Sequence, residues 1–184
     1  MESANSLWDL FLQQLSERSE TIACTAIDAA ADDHWIDLDW RQLAERVLIA
    51  GTALLERQIE PGDRIATWSE NRLEWIVADL ALQGIGAVHV PFHASATLSQ
   101  VRQLSEHAAC RGLLASSQII GSRLSNDATG QLPCPIMPLD RIGTPRATHF
   151  GKAGSSDGGT STRKTRASEE LLELLTDWKQ RQPA

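Results

Sequence analysis

Apolar positions along the first hundred residues recur at two alternating periods, one close to four and one close to two. Leu7, Leu10, Phe11 and Leu15 fall at helical spacing with Gln13, Gln14 and Glu17 opposite, which predicts a helix from Ser6 to about Arg18. Thr21 to Ile27 then reads as a short strand, Ala29 to Asp33 as a polar turn, and His34 to Leu38 as a second strand. The longest helical stripe follows: Trp40, Leu43, Ala44, Val47, Leu48, Gly51, Leu54 and Leu55 share one face. Asp39, with Gln42 three residues on, supplies a capping box for it. Asn71 with Glu74 reads as the start of another helix, carried by Trp75, Ile76, Leu80 and Leu82 and ended by Gly84 and Gly86. Thr97 with Gln100 opens a third box, ahead of Leu98, Val101, Leu104 and Ala108.

Between the helices lie strand patterns. Glu60-Pro61-Gly62-Asp63 is a turn, with Pro presetting φ and Gly permitting a positive one, and Arg64 to Ser69 follows as a strand. Ala87 to Phe92 is almost continuously apolar, which predicts a strand buried on both faces. Arg111 to Ala115 is a further strand and Pro135 to Leu139 a short one. Strands alternating with helices imply βαβ units, hence an α/β fold with a mostly parallel sheet and flanking helices. Past Leu139 the periodicity stops, and Gly151 to Arg166 is rich in Gly, Ser and Thr, then basic at Arg163, Lys164 and Arg166. That composition is a flexible linker's. An amphipathic helix closes the chain, from Ser168 to about Arg181, with Leu171, Leu172, Leu174, Leu175 and Trp178. The expected division is an α/β subdomain over residues 1–140, a linker over 141–167 and a helical segment over 168–184.

Composition narrows the class. Hydrophobic residues at 42% and charged residues at 22% describe a globular chain. A net charge of −7 argues against nucleic acid as a partner and against anionic membranes bound through charge alone. No apolar run approaches the roughly 20 residues of a transmembrane segment. The first residues lack the basic region of a signal peptide. Cys24, Cys110 and Cys134 have no framework spacing, as expected of reduced thiols packed as small hydrophobes in a cytoplasmic protein.

Candidate chemistry is sparse. His89 and His93 are four apart, but four residues of strand span about 13 Å, too far for one metal ion. A hydrogen-bonded histidine at a strand end is the expected role. His107 and His149 have no partner in sequence. Gly84-Ile85-Gly86 lacks a third glycine and precedes a strand, so it is not a dinucleotide loop. Gly154 to Ser161 lacks the lysine and the preceding strand of a phosphate-binding loop. The six tryptophans are expected mostly in the core. No catalytic, cofactor-binding or metal-ligating residue is assigned.

Four segments in order add a family resemblance over about residues 7–117. Leu38-Asp39-Trp40-Arg41-Gln42-Leu43 resembles the first core motif of the adenylate-forming superfamily, L-T-Y-x-E-L, with Trp40 in place of tyrosine and Gln42 in place of glutamate. Glu60 to Ala66 looks like its PGDRVA turn, and Glu70 to Trp75 is similar to its PNRPEW. Gln83 to Pro91 resembles its second core motif, xAGAVxVPL. The Val90-Pro91-Phe92-His93-Ala94 stretch is most similar to long-chain fatty acyl-CoA ligases, with acetyl, aryl and amino-acid activators left open. The resemblance implies the N-terminal subdomain of an enzyme that uses ATP and Mg to adenylate a carboxylate, here a fatty acid, and passes the acyl group to CoA. The family's TSGTTGxPKG loop, its nucleotide and metal motifs and its C-terminal lid have no match, so the chain is expected to stop short of the ATP-binding loop and to be inactive alone. Two other readings stay open: a non-catalytic interaction module using the C-terminal helix to dock, and one half of a split ligase completed by a second polypeptide.

Overall fold

The computed structural model describes residues 6–28, 34–124, 132–143 and 169–178. Helix α1 (Leu7–Arg18) starts where the Ser6 side chain accepts from the Asp9 amide at 3.1 Å. Its buried face is Trp8, Phe11 and Leu15, whereas Leu7 and Leu10, expected inside, are 65% and 46% exposed. The stripe is rotated by one residue because Trp8 brings the largest apolar surface and has aromatic partners: Phe11 at 5.2 Å and Trp178 at 6.4 Å.

Strands β1 (Ile22–Asp28) and β2 (His34–Asp39) pair antiparallel as a separate ribbon, with Ala26 opposite Ile36 and Ile27 opposite Trp35. Helix α2 (Trp40–Leu55) carries the capping box its sequence announces, since Gln42 N donates to Asp39 Oδ1 at 2.6 Å and Asp39 N donates to Gln42 Oε1 at 2.9 Å. Gly62, at φ +86°, turns the chain into β3 (Arg64–Trp68). Helix α3 (Leu73–Gly84) differs from the sequence reading at its start. Arg72, not Asn71, is the N-cap, and no side chain caps it. Glu74 therefore falls too early in the helix for a box and is drawn inside, 2% exposed, by the Arg72 guanidinium.

After β4 (Val88–Phe92) come α4 (Leu98–His107) with its Thr97–Gln100 box, β5 (Gly112–Ala115), α5 (Ser117–Arg123), and β6 (Ile136–Pro138) with a single 3-10 turn, Leu139–Arg141. Helix α5 has no counterpart in the sequence reading, being too short to show periodicity. A last helix, α6, covers residues 169–178. The Ala29–Asp33 turn, most of the linker and the Ser168 cap lie outside the described residues.

The main sheet is parallel, in the order β4-β3-β5-β6. Alternation along β3 and β5 divides the core in two. Ile65 and Leu114 face α1, α2, α3 and α6, while Ala66, Trp68, Leu113 and Ala115 face α4 and α5. The sheet is thus covered on both faces, as an α/β fold requires. One expectation fails here. β4 is an edge strand, and Val88 is 45% exposed. Its long apolar run mimics a central strand, but the Val88 amide donates inward to Asp63 O at 2.8 Å, so backbone alternation turns Pro91 outward. There a missing N–H costs no ladder bond and blunts the edge. No helix of the described residues is long and apolar enough to cross a membrane.

Candidate functional site

The chain leaving β3 passes through α3 to β4 on one side, and the chain leaving β5 passes through α5 to β6 on the other. The carboxyl edge of the sheet opens where those departures part, between β3 and β5, which is where open α/β sheets hold ligands. Ser69 to Arg72 and Ser116 meet at that point. Ser116 Oγ donates to Glu70 Oε2 at 2.8 Å and accepts from the Ile119 amide at 3.3 Å, so one hydroxyl both caps α5 and bridges the two loops. Arg72 Nε donates to Glu74 Oε2 at 2.8 Å, and its terminal nitrogen pairs with Asp140 beyond β6. Asp140 Oδ2 also accepts from the Ser117 amide at 2.5 Å. Arg72, Asp140 and Glu70 thereby tie the ends of β3, β5 and β6 together. Burial works against the charge on Arg72, but the carboxylates of Glu74, Asp140 and Glu70 outweigh it and hold its pKa above the ordinary arginine value.

A cleft of about 630 Å³ opens over this cluster. Thr25, Ile27 and Trp35 of the ribbon form one wall, and Leu73, Trp75 and Ile76 of α3 the other. Glu70, Asn71, Arg72 and Gln118 supply its polar groups. Trp35, expected in the core, is 70% exposed, because its side of the ribbon faces this opening rather than α2. Arg72 is the cleft's only lining cation among the described residues, and carboxylates engage it. Among the described residues, the lining therefore offers a triphosphate no unpaired cation.

A second polar chain crosses the fold beside the cleft. Asp79 Oδ1 lies 2.7 Å from His89 Nδ1, and Thr67 Oγ1 lies 2.8 Å from His89 Nε2. The order of acid, imidazole and hydroxyl matches that of a catalytic triad. Thr67 is fully buried, however, and the imidazole packs edge-on against Trp75 at 5.0 Å. The chain of bonds therefore tethers α3 to β3 and β4 and offers no accessible nucleophile. The His89 hydrogen bond lowers the Asp79 pKa against the opposing effect of burial, with help from the His89 charge and the Gln83 amide.

His93 turns instead to Ser95, with Nδ1 2.7 Å from its hydroxyl and 3.2 Å from its amide. The two histidines thus serve separate networks, and no group of three or more metal-binding side chains occurs among the described residues. Cys110 and Cys134 are buried and Cys24 half-buried. Burial, with Cys110 nearby, pushes the Cys134 thiol up to about 11. Gly84 and Gly86 end α3 ahead of β4, so they form no nucleotide loop. Gly154–Ser161, Arg163, Lys164 and His149 lie outside the described residues. The cluster of Glu70, Arg72, Ser116 and Asp140 escapes sequence reasoning, since these residues meet only through the sheet order. Their one visible signal is a polar residue one or two positions after β3, β5 and β6: Glu70, Ser116 and Asp140.

The profile of the AMP-binding enzyme family matches residues 11–173. A (methyl-dioxo-octahydroindenyl)propanoyl:CoA ligase of Rhodococcus jostii is 30% identical over 117 residues, covering 60% of this chain and 23% of that enzyme. The long-chain-fatty-acid–CoA ligase FadD15 of Mycobacterium bovis is 26% identical over 127 residues, covering 68% of this chain and 21% of its own length. The chain thus spans about a fifth of the curated relatives it matches. Among solved structures, the anthranilate CoA ligase AuaEII in complex with anthranoyl-AMP superposes with a TM-score of 0.60 at 16% identity, over 71% of this chain and 24% of that one. The N-terminal subdomain of Klebsiella oxytoca NpsA gives 0.54 at 20% identity, over 74% and 31%. These likenesses establish the fold: an adenylate-forming N-terminal subdomain.

Proposed function

Since the chain belongs to the AMP-binding enzyme family and corresponds to the N-terminal portion of its members, we propose that it is the scaffold part of an acid–thiol ligase. The parent reaction is the conversion of a carboxylate, ATP and CoA to acyl-CoA, AMP and pyrophosphate. The acid is a long-chain fatty acid, a reading supported by the likeness to FadD15 and by the Val90 to Ala94 stretch. Residues 1–140 form the subdomain, 141–167 the linker and 168–184 a helical tail, working in the cytoplasm without nucleic acid.

The observation that carries the proposal is the pairing of a family match across residues 11–173 with a cleft whose cation is already neutralised. Adenylation needs charge compensation around the phosphates, and none of the described residues offers it in the cleft. Catalysis then requires groups from elsewhere in a full-length enzyme or from a complementing polypeptide. The interaction-module alternative, with the last helix as a docking element, is less favoured because Leu175 and Trp178 are turned into the core of this same chain.

ATP–pyrophosphate exchange with palmitate as the acid tests the reading. The purified chain is expected to show none, and exchange is expected once a polypeptide carrying the remainder of a ligase is added. Palmitate-dependent exchange by the chain alone contradicts it.

A further inference from the structure

The cleft at the ends of β3 and β5 has a charge balance opposite to that of a phosphate site. Glu70, Glu74 and Asp140 surround the single guanidinium of Arg72, leaving the cluster negative. A further carboxylate, Asp37, stands on the same face of the ribbon as Trp35, two residues away, held by Thr25 Oγ1 at 2.6 Å. Glu70 thus lines the opening, and Asp37 is bonded to Thr25 of its ribbon wall. An anion is disfavoured there by simple repulsion. A bare divalent ion is poorly served too, because Arg72 and Ser116 already engage these carboxylates and a hard cation needs a full oxygen shell.

The walls add a second selection. The Trp35 indole presents most of its surface at the rim, directly across the ribbon from the exposed Ile27, and Ile76 is exposed on α3 opposite. Asn71 and Gln118 place exposed carboxamides beside them. An exposed indole face in a negative field attracts cations through its quadrupole, and the isoleucines offer contact to an apolar body. The volume of about 630 Å³ lies within the range that holds small organic ligands.

We propose that this cleft binds an organic cation, an ammonium or guanidinium group on an apolar body, with the Trp35 indole as its π face and the Glu70 carboxylate as its counter-charge. The proposal is independent of the ligase reading, whose chemistry concerns anionic phosphates and carboxylates. The site would admit an amine and reject the matching acid.

Benzylamine, benzyl alcohol and benzoate share a shape and differ in charge, so they isolate the effect. Each is titrated into the intact chain while the Trp35 indole N–H is followed by NMR, assigned by its loss in Trp35→Phe. Benzylamine is expected to shift the signal saturably at millimolar concentration, benzyl alcohol about fivefold more weakly, and benzoate not at all. Trp35→Leu, with binding read by calorimetry, is expected to weaken benzylamine by about two- to fivefold. Glu70→Gln is expected to weaken it similarly while leaving benzyl alcohol unchanged. Trp35 is mostly exposed, so its variant keeps the fold even if Glu70→Gln does not. Equal affinity for amine and alcohol, a saturable benzoate response, no saturation by benzylamine, or an unchanged affinity in Trp35→Leu would each overturn the proposal.

Discussion

A methyl group added at Gly51 would lie 2.2 Å from the Trp178 indole, and one at Gly84 would lie 2.7 Å from Trp8. The two glycines let α2 and α3 receive the stacked Trp8–Trp178 pair against bare backbone. Gly51→Ala is therefore expected to cost about 1–3 kcal/mol by overpacking, and Trp178→Ala about 3–5 kcal/mol by leaving a cavity. Urea unfolding monitored by circular dichroism measures both, and no loss in Gly51→Ala would refute the packing. Asp79 makes a prediction about pH. Its folded pKa lies below the unfolded one, chiefly because of the His89 hydrogen bond. The stability it contributes is present above the unfolded carboxyl's range, about pH 4, and is lost as pH falls through the lower folded value. Asp79→Asn is expected to flatten that acid limb of a stability–pH curve. These residues carry little sequence signal for their roles. His89 was legible as a hydrogen-bonded histidine, but its partners Thr67 and Asp79 lie 22 and 10 residues away and meet it only in the fold.

At the scale of elements, what could be read was what is local. The boxes at Asp39–Gln42 and Thr97–Gln100 join residues three apart, and both form. The buried face of α1 was misjudged because Trp178, far along the chain, helps to set it. The α3 start differs because Arg72, itself held by Asp140 far along the chain, draws Glu74 inside. β4 reads as a central strand in composition, and only the order β4-β3-β5-β6 puts it at the edge. Pro91 then has a protective role with a measurable consequence. Pro91→Thr restores an outward N–H, so the variant is expected to self-associate more strongly in sedimentation velocity while melting near the parent temperature. An unchanged monomer fraction would show that Pro91 does not guard the edge.

For the whole molecule, the α/β class and the family frame were both visible in the sequence, because alternating periods and four ordered motifs need no tertiary information. The cleft was not visible, since its walls come from the ribbon, α3 and the loops after β3 and β5. Docking of residues 169–178 onto α1, α2 and α3 makes the tail part of the same core as the sheet. The polar cluster holds strand ends together, and Arg72, the cleft's lining cation among the described residues, is already paired, which supports the proposed scaffold role. Calorimetric titration of the intact chain with Mg-ATP addresses this most directly. No saturable heat is expected up to millimolar nucleotide. Saturable binding at one site per chain would show that the chain holds nucleotide by itself, and would contradict its assignment as a scaffold.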